Sequence, residues 1–150
     1  LFIERFQRYY SNFAYVSSKT NFKYVFLLIQ GEGPLHHKMI YDESQPIVGW
    51  AKQFGAALFA LEHRFYGESQ PTPDQSVKNL KYLNSRQALG DIAEFIIGIN
   101  KGYGLRDPVW ITFGGSYAGE FSDYNSLNVQ PLLYGLWDLY LYGLARNTRI

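Results

Sequence analysis

The run Tyr24-Val25-Phe26-Leu27-Leu28-Ile29-Gln30 is apolar almost without interruption, the pattern of a strand covered on both faces in a parallel sheet. It ends at the turn-forming residues Gly31-Glu32-Gly33-Pro34. Beyond Ser44, which reads as an N-cap with Pro46 in the first turn, Ile47, Val48, Trp50, Ala51 and Phe54 recur at helical spacing as far as Gly55. That predicts a short crossover helix. Ala56 to Glu62 reads as a second buried strand, and His63 to about Leu80 as a polar, Pro-containing loop. Ala88, Leu89, Ile92, Ala93, Phe95, Ile96 and Ile99 share one helical face, with Asn84 or Ser85 placed to cap its start. Gly102, Gly104 and Pro108 break the pattern, and Val109-Trp110-Ile111-Thr112-Phe113 predicts a third strand. Strands alternating with helices imply an α/β class, right-handed crossovers and a parallel sheet.

Composition bounds this picture. The chain has 150 residues, 47% hydrophobic and 18% charged, which is a globular balance. Single α/β domains often run to roughly 200–250 residues, so the sequence reads as a truncated part of such a domain. Leu1-Phe2-Ile3-Glu4-Arg5 lacks the charged head and apolar centre of a signal peptide. A net charge of +1, with both signs interspersed, argues against nucleic acid or a membrane surface as partner. No apolar run approaches the ~20 residues that cross a bilayer. Without cysteine there is neither a disulfide framework nor a thiolate metal site. No cofactor or metal is implied.

The chemistry concentrates after the third strand. Gly114-Gly115-Ser116-Tyr117-Ala118-Gly119 follows the G-x-S-x-G type of pattern in the strand-to-helix context of a nucleophile elbow, which identifies Ser116 as a candidate nucleophile. The bland alternative is a Gly-rich turn with a capping serine. Acyl transfer also needs donors aimed at a developing oxyanion. The Tyr117 amide is one candidate, and amides of Gly31, Glu32 and Gly33 at the carboxyl end of the first strand are others. Glu62, His63 and Arg64 end the second strand at the same edge. They read as a structural brace in preference to a substrate contact, because buried charges need partners. All three histidines, His36, His37 and His63, precede Ser116, whereas the hydrolase triad runs Ser, then acid, then His.

Three blocks, Leu-Leu-Ile-Gln-Gly-Glu-Gly-Pro, Ala-Leu-Glu-His-Arg-Phe-Tyr-Gly-Glu-Ser-Gln-Pro and Trp-Ile-Thr-Phe-Gly-Gly-Ser-Tyr-Ala-Gly, resemble the lysosomal Pro-X carboxypeptidase family, which includes the thymus-specific serine protease and a proline-selective dipeptidyl peptidase. The resemblance covers roughly Phe22 to Gly119. It implies an α/β-hydrolase fold with Ser116 as nucleophile, a Tyr117 oxyanion amide, peptide substrates cut near their ends and often beside proline, and a lysosomal or secreted setting. Residues 1–119 are then the N-terminal part of the hydrolase domain, and residues 120–150 a divergent tail. In that tail Leu132, Leu133, Leu136, Trp137, Tyr140, Leu141 and Leu144 have helical spacing. On this reading Val109–Phe113 stands at an uncovered sheet edge. Two rivals remain: another α/β hydrolase such as an esterase, since one elbow serves many chemistries, and a non-catalytic binding module built on a degraded hydrolase.

Overall fold

The structure, a computed structural model, describes residues 7–119 and the backbone of 133–136. In chain order the elements are β1 (Tyr9–Asn12), β2 (Tyr24–Ile29), α1 (Lys38–Tyr41), α2 (Pro46–Phe54), β3 (Ala57–Leu61), α3 (Val77–Leu80), α4 (Ser85–Tyr103), β4 (Val109–Phe113) and β5 (Leu133–Leu136). They build a single sheet in the order β1-β3-β2-β4-β5. The fold is of the α/β class, with helices on both faces of the sheet. Its sheet is mixed and not purely parallel, because β1 pairs antiparallel with β3 while the other pairings are parallel.

Strand alternation sends side chains to two cores. Val25, Leu27 and Ile29 of β2, Ala57, Phe59 and Leu61 of β3, and Trp110 of β4 pack under α4 through Ala88, Ile92, Ile96 and Ile99. Phe26, Leu58, Ala60 and Phe113 face the other way, onto Ile40 of α1 and Ile47, Val48 and Ala51 of α2. This double coverage is why β2 and β3 read as continuous apolar runs. Register then aligns the strand ends. Ile29 pairs with Leu61, and Leu28 with Phe113, so the segments after β2, β3 and β4 leave the sheet at one edge.

Several expectations change. The cap of α2 is Gln45, at φ −76° and ψ 128°, and not Ser44, because the residue before a proline is pushed to extended backbone. Asn84 does cap α4, its side chain accepting the Gln87 amide at 3.0 Å. The loop from His63 holds the short helix α3. β1 was silent in the sequence; it is held by edge pairing and by the buried Asn12 amide donating to the Ile40 carbonyl at 2.8 Å. Residues 133–136, expected to be helical, form β5 beside β4. The β4 edge predicted to be bare is therefore covered, and the rest of the predicted tail helix lies outside the described residues.

Phe59 is the aromatic centre of the α4-side core: it is fully buried and meets Phe13 at 5.5 Å, Phe95 at 5.8 Å and Trp110 at 6.1 Å between ring centroids. Phe59→Ala is expected to cost about 3–5 kcal/mol, the usual range for emptying a buried aromatic site. Urea denaturation of the two forms measures this, and a loss below about 1 kcal/mol would contradict the assignment of Phe59 to the packed core.

Candidate functional site

β4 ends at Phe113, Gly114 and Gly115 leave the sheet, and helical backbone resumes at Tyr117. Between them Ser116 is exposed and held at φ 54°, one of three non-glycine residues with positive φ among the described residues. A left-handed conformation costs a serine roughly 1 kcal/mol or more and persists only where the surroundings enforce it. Gly114 provides that enforcement. A side chain begun there would lie 2.2 Å from the Ala118 carbonyl oxygen and 2.9 Å from the Gly119 nitrogen, so only glycine lets the helix start this close to the strand. At Gly115 nothing stands within 4 Å of such an atom. The second small position of the elbow pattern, two residues after Ser116, is Ala118 and not glycine. Its methyl is buried and accommodated.

The Gly31 turn reaches the elbow. A side chain begun at Gly31 would lie 3.8 Å from the Ala118 methyl, so the two Gly-rich segments are neighbours as the strand signals predicted. Within the turn, the Gly33 amide donates to the Gly31 carbonyl at 2.9 Å. That commits one of the three oxyanion donors expected on this loop to the turn itself and leaves Gly31 and Glu32 as its candidates. A cavity of about 560 Å³ opens between this turn, the start of α2 and the elbow, with Gly31, Glu32, Gly33, Gly114, Gly115 and Ala118 in its wall.

The third segment supplies braces. Glu62 is fully buried and accepts from the Leu35 amide at 2.9 Å, the Glu68 and Ser69 amides at 3.0 and 2.9 Å, the Ser69 hydroxyl at 2.6 Å and Arg8 Nε at 3.1 Å. Arg8 also pairs with it through a terminal guanidinium nitrogen. Gly67, at φ 55°, is as close as it can be: a side chain begun there would lie 2.0 Å from the Glu62 carboxylate. Burial by itself would raise the Glu62 pKa, but the Leu35 amide, the Ser69 hydroxyl and Arg8 outweigh it and hold the group below its ordinary value. Arg64 forms a second brace. Its guanidinium holds Asp91 of α4 in a two-point pair, with Nε at 2.5 Å from one carboxylate oxygen, and donates to the Tyr82 carbonyl at 3.0 Å and to the Gln87 side chain.

His63 is buried between these braces, with ring centroids 5.3 Å from Tyr66 and 5.6 Å from Tyr117. Its Nδ1 lies 2.7 Å from the Arg64 carbonyl, which requires the proton on that nitrogen. Burial, the largest influence, holds its pKa below the ordinary histidine value and outweighs the Arg64 carbonyl, Asp91 and Glu32, which favour the charged form. The ring is therefore neutral near pH 7. Tyr66 is pushed upward by burial first, then by Glu32 and Tyr117. Among the described residues no group of three or more His, Cys, Asp or Glu could hold a metal ion.

The sequence model of the family described as serine carboxypeptidase S28 matches residues 4–131, which extends past Gly119, where the quoted motifs end. Two Caenorhabditis elegans proteins, each named a “putative serine protease”, are 46% identical over 116 residues (77% of this chain, 21% of that protein) and 40% identical over 129 residues (85% and 25%). The thymus-specific serine protease of Homo sapiens is 33% identical over 111 residues, 73% of this chain and 21% of that protein. The chain thus spans about a fifth to a quarter of the length of these relatives.

Two predictions follow from the geometry. Gly114→Ala is expected to lower stability by about 1–3 kcal/mol, as overpacking does, while Gly115→Ala leaves the melting temperature within about a degree of the parent's. Equal effects at both positions would show that the elbow is not closed on Gly114. For Glu62 the folded pKa is depressed, so its stabilising share is complete above the ordinary carboxylate range, about pH 4.3, and drains away as pH falls through the folded value. The stability gap between the parent and Glu62→Gln should therefore be widest near neutrality and narrow steadily in acid. A gap that stays constant from pH 7 to pH 3 would mean that the charge of Glu62 is not what matters.

Proposed function

The chain belongs to the serine carboxypeptidase S28 family, and from that premise we propose that it carries the nucleophile-bearing part of a serine-type exopeptidase acting on peptides near their ends, often beside proline. The observation that carries the reading is Ser116, exposed and held at φ 54° on a turn that Gly114 alone can close. A helix start directly behind the serine leaves the Tyr117 amide at the head of the helix, where backbone donors favour negative charge. Ser116 Oγ attacks the scissile carbonyl carbon, and its proton passes to a histidine base. The oxygen that becomes negative is received by the Tyr117 amide and by Gly31 or Glu32 of the adjoining turn. A lysosomal or extracellular setting accompanies this reading.

The base is not His63 on this account. It is buried and neutral, with Nδ1 bound to a backbone carbonyl, and it stands before the nucleophile in the chain, where the family's triad order has no place for it. No histidine follows Ser116 in the sequence. Triad members act as a unit, and losing the base alone costs on the order of a million-fold in a serine protease. The purified 150-residue chain is therefore expected to show no turnover of proline-containing peptides. Turnover that disappears in Ser116→Ala would keep the nucleophile and make His63 its base. Turnover that survives Ser116→Ala would remove Ser116 from the chemistry altogether.

A further inference from the structure

The cavity beside the elbow has an apolar floor and one charge. Met39, Ile47, Trp50 and Phe113 line it, and among the described residues in its wall Glu32 is the sole ionisable one. Trp50 stacks on Phe113 with ring centroids 5.8 Å apart, so the floor is a rigid aromatic surface suited to a small apolar side chain. Glu32 is exposed and shares the cavity wall with Gly114, Gly115 and Ala118 of the elbow, and its charge favours the charged form of His63 and raises Tyr66. Glu32 therefore stands where the cavity meets the elbow. Unlike Glu62, it accepts no hydrogen bond from a donor among the described residues.

We infer that Glu32 is a specificity-determining residue: its carboxylate receives the α-ammonium of a peptide whose first apolar side chain enters the cavity, and it turns away a C-terminal carboxylate. The inference rests on the exopeptidase reading and narrows it, because an exopeptidase recognises one of two oppositely charged ends. A carboxylate at the mouth of the cavity attracts an ammonium and repels a second carboxylate, which is negative selection as well as positive. The chain then belongs with enzymes that work from the amino end of a peptide.

Binding tests this without any need for turnover. The full chain would be titrated with valyl-prolinamide, N-acetyl-valyl-prolinamide and N-acetyl-valyl-proline, following the Trp50 indole and the Gly31 and Gly33 amide resonances by NMR. Valyl-prolinamide, which alone carries an ammonium, is expected to bind about fivefold more tightly than its acetylated form, the size of one exposed ion pair. Glu32→Gln should erase that difference, and Glu32→Lys should turn the preference toward N-acetyl-valyl-proline. An ammonium preference unchanged in Glu32→Gln, a parent chain that favours the carboxylate ligand, or the absence of saturable shifts with all three would overturn the inference. Failure of Ser116 as nucleophile leaves this readout intact. Conversely, Ser116-dependent cleavage of amino-blocked peptides from their carboxyl ends would keep the exopeptidase and sink the role given to Glu32.

Discussion

A single buried carboxylate ties the Gly31 turn, the loop after β3 and the segment leading into β1 to one another. Glu62 ends β3 at the sheet edge and bonds to the Leu35 amide behind the Gly31 turn, to the Glu68 and Ser69 amides of its own loop, and to Arg8 beside β1. Arg8 completes the loop by donating to the Leu35 carbonyl at 2.9 Å. Such a group is costly to bury alone and tolerable only when its lone pairs are met. Its position is therefore not adjustable: each donor must stay where it is, and the backbone carrying those donors stays with it. This is how a turn of glycines, flexible by composition, is held beside the elbow.

The elbow is held by the opposite means, closeness without charge. Gly114 and the Ala118–Gly119 backbone occupy space that any side chain would need, and the consequence is a serine in a conformation that serine disfavours. The strain is local, and the surrounding structure is not. Phe113 and Trp50 stack beneath one side of the turn, and Trp110 and Ala118 join the core under α4 on the other. Two packed layers therefore resist the relaxation of a single φ angle, which is the general condition under which strain survives at a reactive group.

The central strands and both long helices were legible because burial on two faces leaves an unbroken apolar run and burial on one leaves a helical stripe. The edge was legible too, since three Gly-rich or charged segments each follow a strand. What escaped has physical reasons. β1, Tyr9-Tyr10-Ser11-Asn12, owes its strand state to pairing with β3 and to Asn12, and neither leaves an alternating pattern. The spacing of Leu133 and Leu136 fits a helix as well as a strand, and short apolar segments are decided by what lies beside them; here that is β4. Gly33 looked like an available donor because composition does not reveal that a tight turn consumes its own amide. Ala118 in place of glycine was written in the sequence, but only the geometry shows that a methyl fits there.

Three ionisable residues near the edge show why residue type alone could not have assigned them. Glu62 and Glu32 are the same acid, yet the first has its carboxylate surrounded by amides, a hydroxyl and a guanidinium, while the second is exposed at the mouth of a cavity. A carboxylate has a limited set of acceptor sites, and those of Glu62 are already taken by the fold. It has nothing left to offer a ligand, whereas a change in the charge of Glu32 strands no buried donor among the described residues. His63 falls on the side of Glu62. Burial denies it a charge, and the Arg64 carbonyl fixes its tautomer, so it fills space against Tyr66 and Tyr117 instead of exchanging protons. The division between scaffold and site at this edge therefore follows from which groups have already spent their hydrogen-bonding capacity on the chain.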